Sequence, residues 1–295
     1  MTIFCSKIEE ITPTIQINIR GSRGFGKYGY FFPPEAIKHP AKMNIHLLEY
    51  LIERYTMVRD TICDPMAGTY STCVLAALMG RNSIGVDVED RFYVWGLEAK
   101  KRVESWKRNM ATMADVGEMT ILKGDARQLS QLINHTVRAI ITSPPYSGIQ
   151  LSGGDPEKRR QRLIEAGHNP EDFIGGRARN AMLVGYQLHK MTTNQQIGSL
   201  NHKEYLTAML QVYKEMWKIL SPEGLAIIVV KPFIRNRKVI DLPYETLDLM
   251  IRAGFKPLQA LKYRLHNKSA WRRIYYRKNP HVPEIAHEYV IIAAK

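Results

Sequence analysis

The sequence predicts an α/β protein in which a mostly parallel sheet carries helices on both faces. From residue 43 to residue 142, short apolar segments alternate with segments of helical periodicity. Such alternation is typical of parallel sheets built from strand–helix–strand units. Near the C-terminus two apolar segments follow one another without a clear helix between them, which predicts an antiparallel hairpin that closes the sheet. A chain of 295 residues, 45% of them hydrophobic, is long enough to bury one large core.

The first half of the chain supplies four predicted strands. MNIHLLEYLIERYTM has apolar residues at helical spacing, and TICDPM after it predicts a short buried strand. A helix in YSTCVLAALMG stops at Gly80, and NSIGVDVED predicts the second strand. A long charged helix is predicted from Asp90 to about Ala111. The strand MTILKGD, the short helix ARQLSQLI and the strand VRAIITS complete this half.

The second half begins with an irregular segment and then returns to regular patterns. Residues 148–201 show little periodicity and many Gly, Arg and Asn, which predicts a long inserted excursion. HKEYLTAMLQVYKEMWKILSPEG predicts a helix ended by Pro222 and Gly224, followed by the strand LAIIVVK and the helix YETLDLMIRAG. KPLQALKYRL and YVIIAAK predict the last two strands.

The charge balance favours a polyanionic partner. Lys and Arg number 42 against 28 Asp and Glu, a formal net charge of +14, so nucleic acid is the leading partner class. Two segments suit contact with a nucleic-acid backbone: the first clusters five arginines, and the second interleaves cations with aromatic residues, which offer phosphate pairing and base stacking. A solvated charged hairpin is the alternative for the second segment. The predicted nucleic-acid contacts are Arg159, Arg160, Arg162, Arg177, Arg179, Lys268, Trp271, Arg272, Arg273, Tyr275, Tyr276 and Arg277.

Metal and membrane functions are not indicated. The three cysteines form no CxxC pair and the nine histidines are scattered, so no metal site is predicted. No apolar run approaches the roughly 20 residues that span a bilayer, and the N-terminal residues carry charges where a signal peptide needs apolar ones. We therefore expect a cytoplasmic protein with no membrane partner.

The first predicted strand ends in CDPMAGTYST, which suits a nucleoside ligand. Ala67, Gly68 and Thr69 lie between a strand and a helix, where small residues let a ligand approach the backbone and the helix amides. The next strand ends in Asp87, about twenty residues on, where a carboxylate can accept both hydroxyls of a ribose. An ordinary tight turn is the alternative interpretation of the loop.

The fourth predicted strand ends in AIITSPPYSG. Pro144 and Pro145 fix two φ angles and remove two backbone donors. Neighbouring carbonyls are then free to accept from another molecule, whereas an ordinary turn would use Gly, Asn or Asp. The sequence thus predicts a rigid corner, Ser143 to Tyr146, that holds a ligand.

Together, DPMAG, the strand-end acid and TSPPY resemble the S-adenosylmethionine-dependent amino-methyltransferases of nucleic acids. SPPY resembles especially those that methylate N4 of cytosine, and HPAKMNIHLLEYLI is similar to the element that contacts the methionine end of the cofactor. The resemblance implies a Rossmann-like class I methyltransferase fold, with a mostly parallel seven-stranded sheet and an antiparallel last strand. The implied S-adenosylmethionine site comprises Pro40, Lys42, Asp64, Pro65, Met66, Ala67, Gly68, Thr69, Asp87 and Asp125.

The resemblance also implies a domain organisation. Residues 1–38 form an N-terminal extension, and residues 39–295 form the methyltransferase domain. Within that domain residues 148–201 are an inserted substrate segment and residues 262–285 a basic aromatic hairpin.

Three positions sharpen these expectations. Met66 stands where the family loop has an aromatic residue, and Tyr70 stands where it has a second glycine. Tyr70 is therefore expected to narrow the pocket or cover the cofactor. Asp125 either contacts the cofactor adenine, as the resemblance implies, or caps the helix that follows it.

The corner suits methylation of an exocyclic amine. If Ser143 and a Pro–Pro carbonyl accept the two amine hydrogens, the nitrogen can pyramidalise and direct its lone pair at the methyl group. Tyr146 would stack on the extruded base, which makes Ser143, Pro144, Pro145 and Tyr146 the predicted catalytic set. Because Ser143 is neutral, proton loss is expected after methyl transfer.

The predicted function is methylation of cytosine N4 in a polynucleotide, with DNA modestly preferred. The alternatives are an RNA cytidine N4-methyltransferase that adds one or two methyl groups, and action on adenine N6 or guanine N2. A nucleic-acid-binding protein with a degenerate cofactor site is the alternative from another class.

Overall fold

An eight-stranded sheet organises the part of the chain that the structure, a computed structural model, describes. That part comprises residues 3–22, 24–39, 42–109, 115–147, 196–265 and 270–295, with backbone alone for residues 270–273. The strands are β1 (Thr14–Gln16), β2 (Thr61–Asp64), β3 (Asn82–Asp87), β4 (Met119–Lys123), β5 (Val137–Thr142), β6 (Leu220–Val230), β9 (Lys256–Arg264) and β10 (His287–Ala294), and a separate pair is β7 (Phe233–Arg235) with β8 (Lys238–Ile240).

The strand order confirms the predicted Rossmann-like class I methyltransferase fold. The sheet runs β1-β9-β10-β6-β5-β2-β3-β4, and β6, β5, β2, β3 and β4 are mutually parallel. The last strand, β10, is antiparallel to both β6 and β9. These seven strands correspond to the predicted set. The eighth strand, β1, pairs with β9 at the edge and was not predicted, because three residues are too short to show a strand period.

Helices cover both faces of the sheet. α3 (Ile45–Tyr55), α4 (Ser71–Leu78) and α5 (Asp90–Asn109) contribute to one buried apolar cluster, and α6 (Leu129–Leu132), α7 (His202–Ile219) and α8 (Leu242–Arg252) contribute to the other. Adjacent strand residues alternate between the two clusters: Ile141 belongs to the first and Ile140 to the second. A sheet buried on both faces explains why its strands are continuously apolar in the sequence. The remaining helices are α1 (Ile8–Ile11), α2 (Pro34–Lys38) and α9 (Ala270–Lys278).

The N-terminal extension packs against the rest of the chain. Ile8 is fully buried, and the Ser6 hydroxyl donates to the Asp241 carboxylate at 2.5 Å. Asp241 is also the N-cap of α8, where it accepts from the Tyr244 amide. The extension therefore shares a polar anchor with the C-terminal third of the chain.

The end of α7 differs from its prediction. The helix ends at Ile219, and β6 begins at Leu220 and already contains Pro222 and Gly224. The pairing of β5 with β6 shifts register between Val137 and Ala139. Proline cannot donate in a sheet ladder and is tolerated at such an irregularity, so the turn-like SPEG residues form an irregular strand start instead of a loop.

The structure corrects the prediction that residues 262–285 form a basic aromatic hairpin. β9 and β10 are antiparallel neighbours, as expected, but the segment that joins them contains the helix α9, Ala270–Lys278. Trp271, Ile274 and Tyr275 have helical spacing, and no two-residue turn signal interrupts the run. The alternation of cations and aromatics therefore follows a helical period.

None of the helices in the described residues is long and apolar enough to cross a membrane. Among the same residues, no group of three His, Cys, Asp or Glu side chains is placed to hold a metal ion.

Candidate active site

The two loops singled out in the sequence lie at the switch point of the sheet. β2 and β5 are parallel neighbours, with Cys63 opposite Ile140. From β2 the chain proceeds to β3 and β4 on one side, and from β5 it proceeds to β6 on the other. Ligands of open α/β sheets bind at the carboxyl ends of strands where the order reverses. DPMAG follows β2 and SPPY follows β5, so both loops face that crevice.

One cavity of about 340 Å³ is lined by both loops. Its lining includes the predicted residues Lys42, Asp64, Pro65, Met66, Ala67, Gly68, Thr69, Asp87, Asp125, Ser143, Pro144, Pro145 and Tyr146. Pro40 lies outside the described residues. The structure thus brings together side chains that are up to about a hundred positions apart in the sequence.

The glycine loop is open towards the cavity and tied to Asp87. Gly68 has a φ of +50°, in the left-handed region, and no atom lies within 4 Å of the position that a Cβ would occupy. Its amide donates to Asp87 Oδ2 at 2.8 Å. The absence of a side chain leaves space through which a ligand can reach the loop backbone.

Asp87 is buried, and among the described residues one backbone amide donates to each of its carboxylate oxygens. The Glu89 amide donates to its Oδ1 at 3.0 Å, so each carboxylate oxygen accepts one backbone N–H. A carboxylate oxygen has two lone pairs, which leaves each oxygen able to accept one hydroxyl of a ribose. Burial raises the pKa of Asp87 to about 7, because the charged form loses solvation that the two amides only partly replace.

Asp64 links the two loops. It lies at the end of β2, is buried, and accepts from the Thr142 hydroxyl at the end of β5 at 2.7 Å. The Met66 amide donates to the same oxygen at 3.3 Å. Burial raises the pKa of Asp64 to about 6. This side chain holds the ends of neighbouring strands in register at the floor of the cavity.

Tyr70 does not lie in the cavity, so the expectation that it narrows the pocket or covers the cofactor is wrong. Its side chain is fully buried, and its backbone keeps the left-handed conformation, with φ +59°, that a glycine would favour. A Cβ added at Gly85 or Gly96 would lie 2.5 or 2.7 Å from the Tyr70 ring. These two glycines make room for the ring between β3 and α5.

Lys42 and His39 also line the cavity. The Lys42 ammonium donates to the carbonyls of His39 and Ile37, the latter at 2.8 Å. Burial lowers the pKa of Lys42. The His39 ring meets Phe92 edge to face at 5.5 Å, which gives this wall an aromatic character.

Asp125 caps the helical turn that follows it. Its Oδ1 accepts from the Arg127 amide at 2.8 Å, and its Oδ2 pairs with Arg127 Nη2 at 2.5 Å. The capping alternative therefore describes the structure. Asp125 also lines the cavity, and a contact with the cofactor adenine is a proposal.

The SPPY corner is packed against an element that sequence analysis did not single out. The Tyr146 ring is stacked on Phe233 of β7, with centroids 5.8 Å apart and planes at 9°. Lys231 Nζ lies 5.9 Å from the Tyr146 centroid. The aromatic end of the corner is therefore positioned by the chain that follows β6.

The residue after the corner is held by a polar chain. Ser147 Oγ lies 3.1 Å from His202 Nδ1, and His202 Nε2 lies 2.9 Å from Glu245 Oε1. Arg235 donates to the carbonyl of Ser147 and, at 3.1 Å, to its hydroxyl. These three partners come from α7, α8 and β7, so the corner is anchored by three separate elements.

Sequence analysis missed two charged lining residues, Lys231 and Glu288. Lys231 follows β6 and would have been found by applying the strand-end criterion to a third parallel strand. Glu288 lies at the start of β10, which reaches the same edge because it runs antiparallel. The Glu288 carboxylate accepts a hydrogen bond from the buried Tyr263 hydroxyl. No sequence pattern predicts this pairing.

The predicted nucleic-acid contacts are only partly described. The five arginines from Arg159 to Arg179 and Lys268 lie outside the described residues, and Trp271, Arg272 and Arg273 lie on α9. Arg277 is exposed and Tyr275 half-buried. Tyr276 is buried, and its hydroxyl accepts from the Ile285 amide at 2.9 Å. The expectation that Tyr276 contacts nucleic acid is therefore wrong, since its ring is part of the core.

Comparison with known proteins yields a family match and short segments of similarity. Residues 13–96 match the N6/N4 family of DNA methylases. The chain is 30% identical over 112 residues to a tRNA (guanine(10)-N2)-dimethyltransferase of Methanothermobacter thermautotrophicus, covering 37% of this chain and 29% of that protein. It is 38% identical over 68 residues to the type II methyltransferase M2.DpnII of Streptococcus pneumoniae, covering 23% of this chain and 24% of that protein.

The matched segments thus span about a quarter to a third of these relatives' lengths. Among solved structures, a methyltransferase from Pyrococcus furiosus aligns with a TM-score of 0.46 and 11% identity, over 87% of this chain and 86% of that one.

Proposed function

We propose that the chain is an S-adenosylmethionine-dependent methyltransferase acting on N4 of cytosine in a polynucleotide, starting from the match of residues 13–96 to the DNA methylase family. One observation carries the proposal: the DPMAG loop, Asp87 and the SPPY corner open into the same cavity. A cofactor loop without a target corner would suit many nucleoside ligands. The shared cavity supplies both halves of a group transfer.

The residues present fit the cofactor. Open space above Gly68 admits a ligand close to the backbone. Asp87 has an unused lone pair on each oxygen for the ribose hydroxyls. His39 and Lys42 line the part of the cavity where the resemblance places the methionine end. When bound, the cofactor would supply an electrophilic methyl group on a sulfonium sulfur.

The corner would orient the target amine. Ser143 Oγ and a carbonyl of the Pro144–Pro145 pair accept the two N4 hydrogens, which frees the nitrogen lone pair from the ring. Tyr146 stacks on the extruded base, and Phe233 behind it keeps its ring in a defined orientation. The proton would leave the methylated nitrogen for solvent after the new bond forms, because the Ser143 hydroxyl is not a base at neutral pH. Alignment is the main contribution of these residues.

DNA is the preferred polynucleotide in this proposal, and RNA is the second candidate. The match to the DNA methylase family supports DNA. The similarity of 112 residues to a tRNA dimethyltransferase supports structured RNA and a second methyl addition. Adenine N6 and guanine N2 are exocyclic amines that the same corner geometry would serve.

The alternative of a degenerate cofactor site loses its main argument. That alternative depended on Tyr70 obstructing the glycine loop, whereas Tyr70 is buried between β3 and α5 and Gly68 is open. The cavity is therefore not blocked at the position where the loop departs from the family sequence.

A labelling experiment tests the proposal. The protein is incubated with methyl-labelled S-adenosylmethionine and separate pools of duplex DNA, transfer RNA and ribosomal RNA, which are then digested to nucleosides. We expect label in N4-methyl-deoxycytidine. Label in N4-methylcytidine or N4,N4-dimethylcytidine would establish the RNA alternative, and label in adenine or guanine would refute the base assignment. No label, together with no cofactor binding by calorimetry, would refute the enzyme.

A further inference from the structure

The β7–β8 hairpin is a strongly cationic element beside the cavity, and neither the sequence motifs nor the family match assigns it a role. Residues 231–240 read KPFIRNRKVI and contain four cations and no acidic residue. Phe233–Arg235 pairs antiparallel with Lys238–Ile240. The hairpin follows β6, whose carboxyl end borders the cavity, and Lys231 at its base lines that cavity.

Two contacts fix the hairpin to the target corner. Phe233 stacks on Tyr146, and Arg235 donates to the backbone and hydroxyl of Ser147. Arg235 also lies over the Phe233 ring at 5.3 Å. Phe233 and Arg235, on the inner face of the hairpin, therefore contact the corner. These contacts fix the position of the hairpin beside the mouth of the target pocket.

The tip of the hairpin exposes two cations to solvent. Asn236 and Arg237 have φ angles of +49° and +62°, the signature of the two-residue type I′ turn that matches strand twist. This turn projects Arg237 and Lys238 outward, and both are exposed. Neither forms an ion pair with a described acidic residue. Because the turn fixes the backbone of both cations, binding of an anion would order only their side chains.

We propose that the β7–β8 hairpin binds the phosphate backbone beside the target nucleotide, with Arg237 and Lys238 each contacting a phosphate. This inference rests on the proposed function, because a base held at Tyr146 carries flanking phosphates past the element on which Tyr146 is stacked. Phosphate contacts fix register and orientation and carry no sequence information. The hairpin would therefore place the nucleotide at the corner, whatever the sequence around it.

The test compares two double variants of equal charge change. Arg237→Asn with Lys238→Gln removes both tip charges, and Asn is tolerated at the left-handed position, so the turn is preserved. Lys101→Gln with Arg108→Gln removes two exposed cations from the C-terminal half of α5, neither of them ion-paired with a described residue. Loss of net charge alone weakens both variants equally.

Binding is measured by fluorescence anisotropy against salt, with a 24-base-pair mixed-sequence DNA duplex and, separately, bulk transfer RNA as probes. We expect the hairpin variant to bind at least one probe about 10- to 100-fold more weakly at 0.1 M salt, with the salt slope reduced by about two. The α5 variant should stay within about twofold of the unaltered protein. Calorimetry with S-adenosylmethionine should give the same affinity for all three proteins.

The outcomes separate the inference from the function beneath it. A loss confined to one probe supports the proposal and identifies DNA or RNA as the polyphosphate. Equal losses in the hairpin and α5 variants, or no loss in either, overturn the hairpin's role even when the unaltered protein methylates its substrate. If the unaltered protein binds and methylates neither pool, the proposed function fails and the hairpin proposal fails with it.

Discussion

The two sides of the cavity are built in different ways. On the proposed cofactor side, formed by the DPMAG loop and Asp87, the defining contacts use backbone donors of that loop: the Gly68 amide donates to Asp87 at the end of the next strand, and the Met66 amide donates to Asp64 two positions earlier. On the target side the contacts are between side chains of distant elements: Arg235 reaches Ser147 across 88 positions, and His202 reaches it across 55. The cofactor side is therefore a product of local strand–loop–helix geometry, while the target side is assembled by tertiary packing.

This difference teaches that the two sides can be altered separately. Backbone contacts within one strand–helix unit persist when a remote side chain changes. Contacts between α7, α8, β7 and the corner depend on each partner being present. Variants on the target side should therefore reduce turnover and leave cofactor affinity unchanged, and variants on the cofactor side should do the reverse.

The largest expected effect is on the target side. Ser143→Ala removes an acceptor for the amine, and Tyr146→Ala removes the stacking surface, so each should lower turnover by about 10²- to 10³-fold. S-adenosylmethionine affinity by calorimetry should stay within about twofold. Tyr146→Phe is the matched control and should retain most activity. Loss of cofactor binding in Ser143→Ala would mean that the two loops have been assigned to the wrong ligands.

The reverse effect is expected from Asp87→Ala. Two charge-assisted hydrogen bonds to the ribose are lost, which should weaken cofactor affinity by about 10- to 100-fold. The measurement is calorimetric titration of the polynucleotide-free protein. With saturating cofactor, turnover should fall far less than in Ser143→Ala. An unchanged cofactor affinity would refute the ribose contact.

Cofactor affinity should also depend on pH through Asp87. The raised pKa of about 7 means that the carboxyl is protonated at pH 6 and accepts the ribose hydroxyls less well. Affinity should therefore weaken as pH falls from 8 to 6, approaching tenfold per pH unit below 7. Asp87→Asn should bind more weakly and show a flatter profile, and a profile as steep as that of the unaltered protein would assign the titration to another group.

The same titration affects stability in the opposite direction. A carboxyl whose pKa is raised on folding holds its proton more tightly in the folded state than in the unfolded state. Between about pH 4 and 7, rising pH therefore costs stability. In the cofactor-free protein, we compare the stability of Asp87→Asn with that of the unaltered protein by thermal melts at pH 4 and at pH 8. The change in the free energy of unfolding caused by the substitution should favour the variant more at pH 8 than at pH 4.

His202 provides a smaller test of the target side. His202→Ala removes the link between Ser147 and Glu245, and the loosened corner should lower turnover by about tenfold. His202→Gln can accept from Ser147 and should restore part of the rate. Cofactor affinity should be the same in both variants. Equal activity in His202→Ala and the unaltered protein would show that Arg235 alone positions the corner.

The smallest expected effect concerns Tyr70. Its hydroxyl is buried without a hydrogen-bond partner among the described residues. Tyr70→Phe should therefore raise the free energy of unfolding by about 1 kcal/mol, as denaturant titration would measure. Cofactor affinity should not change. A change in affinity would place Tyr70 at the cofactor after all and weaken the contrast between the two sides.

Much of the cofactor side was predictable, because the sequence marks the ends of buried strands. An apolar run followed by DPMAG or by a terminal acid locates a residue at the carboxyl edge of a parallel sheet, and β2 and β3 end at Asp64 and Asp87. The same reasoning gave a wrong prediction for Tyr70, which was expected to narrow the pocket or cover the cofactor. Tyr70 does lie in the loop between a strand and a helix, as predicted. The direction of its side chain, however, depends on Gly85 and Gly96, which make room for its ring in the core.

The target side was less predictable, because its partners share no local pattern. The SPPY corner was recognisable from two prolines, whereas His202, Arg235 and Glu245 are ordinary polar residues of a helix start, a hairpin and a helix. The cation–aromatic run near residue 270 was assigned to a hairpin and forms α9, with Tyr276 in the core. The cations and aromatic residues of this run suggested contact with nucleic acid, but composition did not determine which of their side chains face solvent.

By itself, the sequence predicted seven of the eight strands of the sheet and the two loops that line the cavity, because strand and helix periods and proline geometry are local properties of the chain. Only the tertiary structure decided what those loops meet. Strand order places DPMAG beside SPPY, packing directs Tyr70 inward, and the β7–β8 hairpin reaches Tyr146 and Ser147 from outside the sheet. Contacts between residues tens of positions apart depend on how faces pack, and no local pattern encodes that choice.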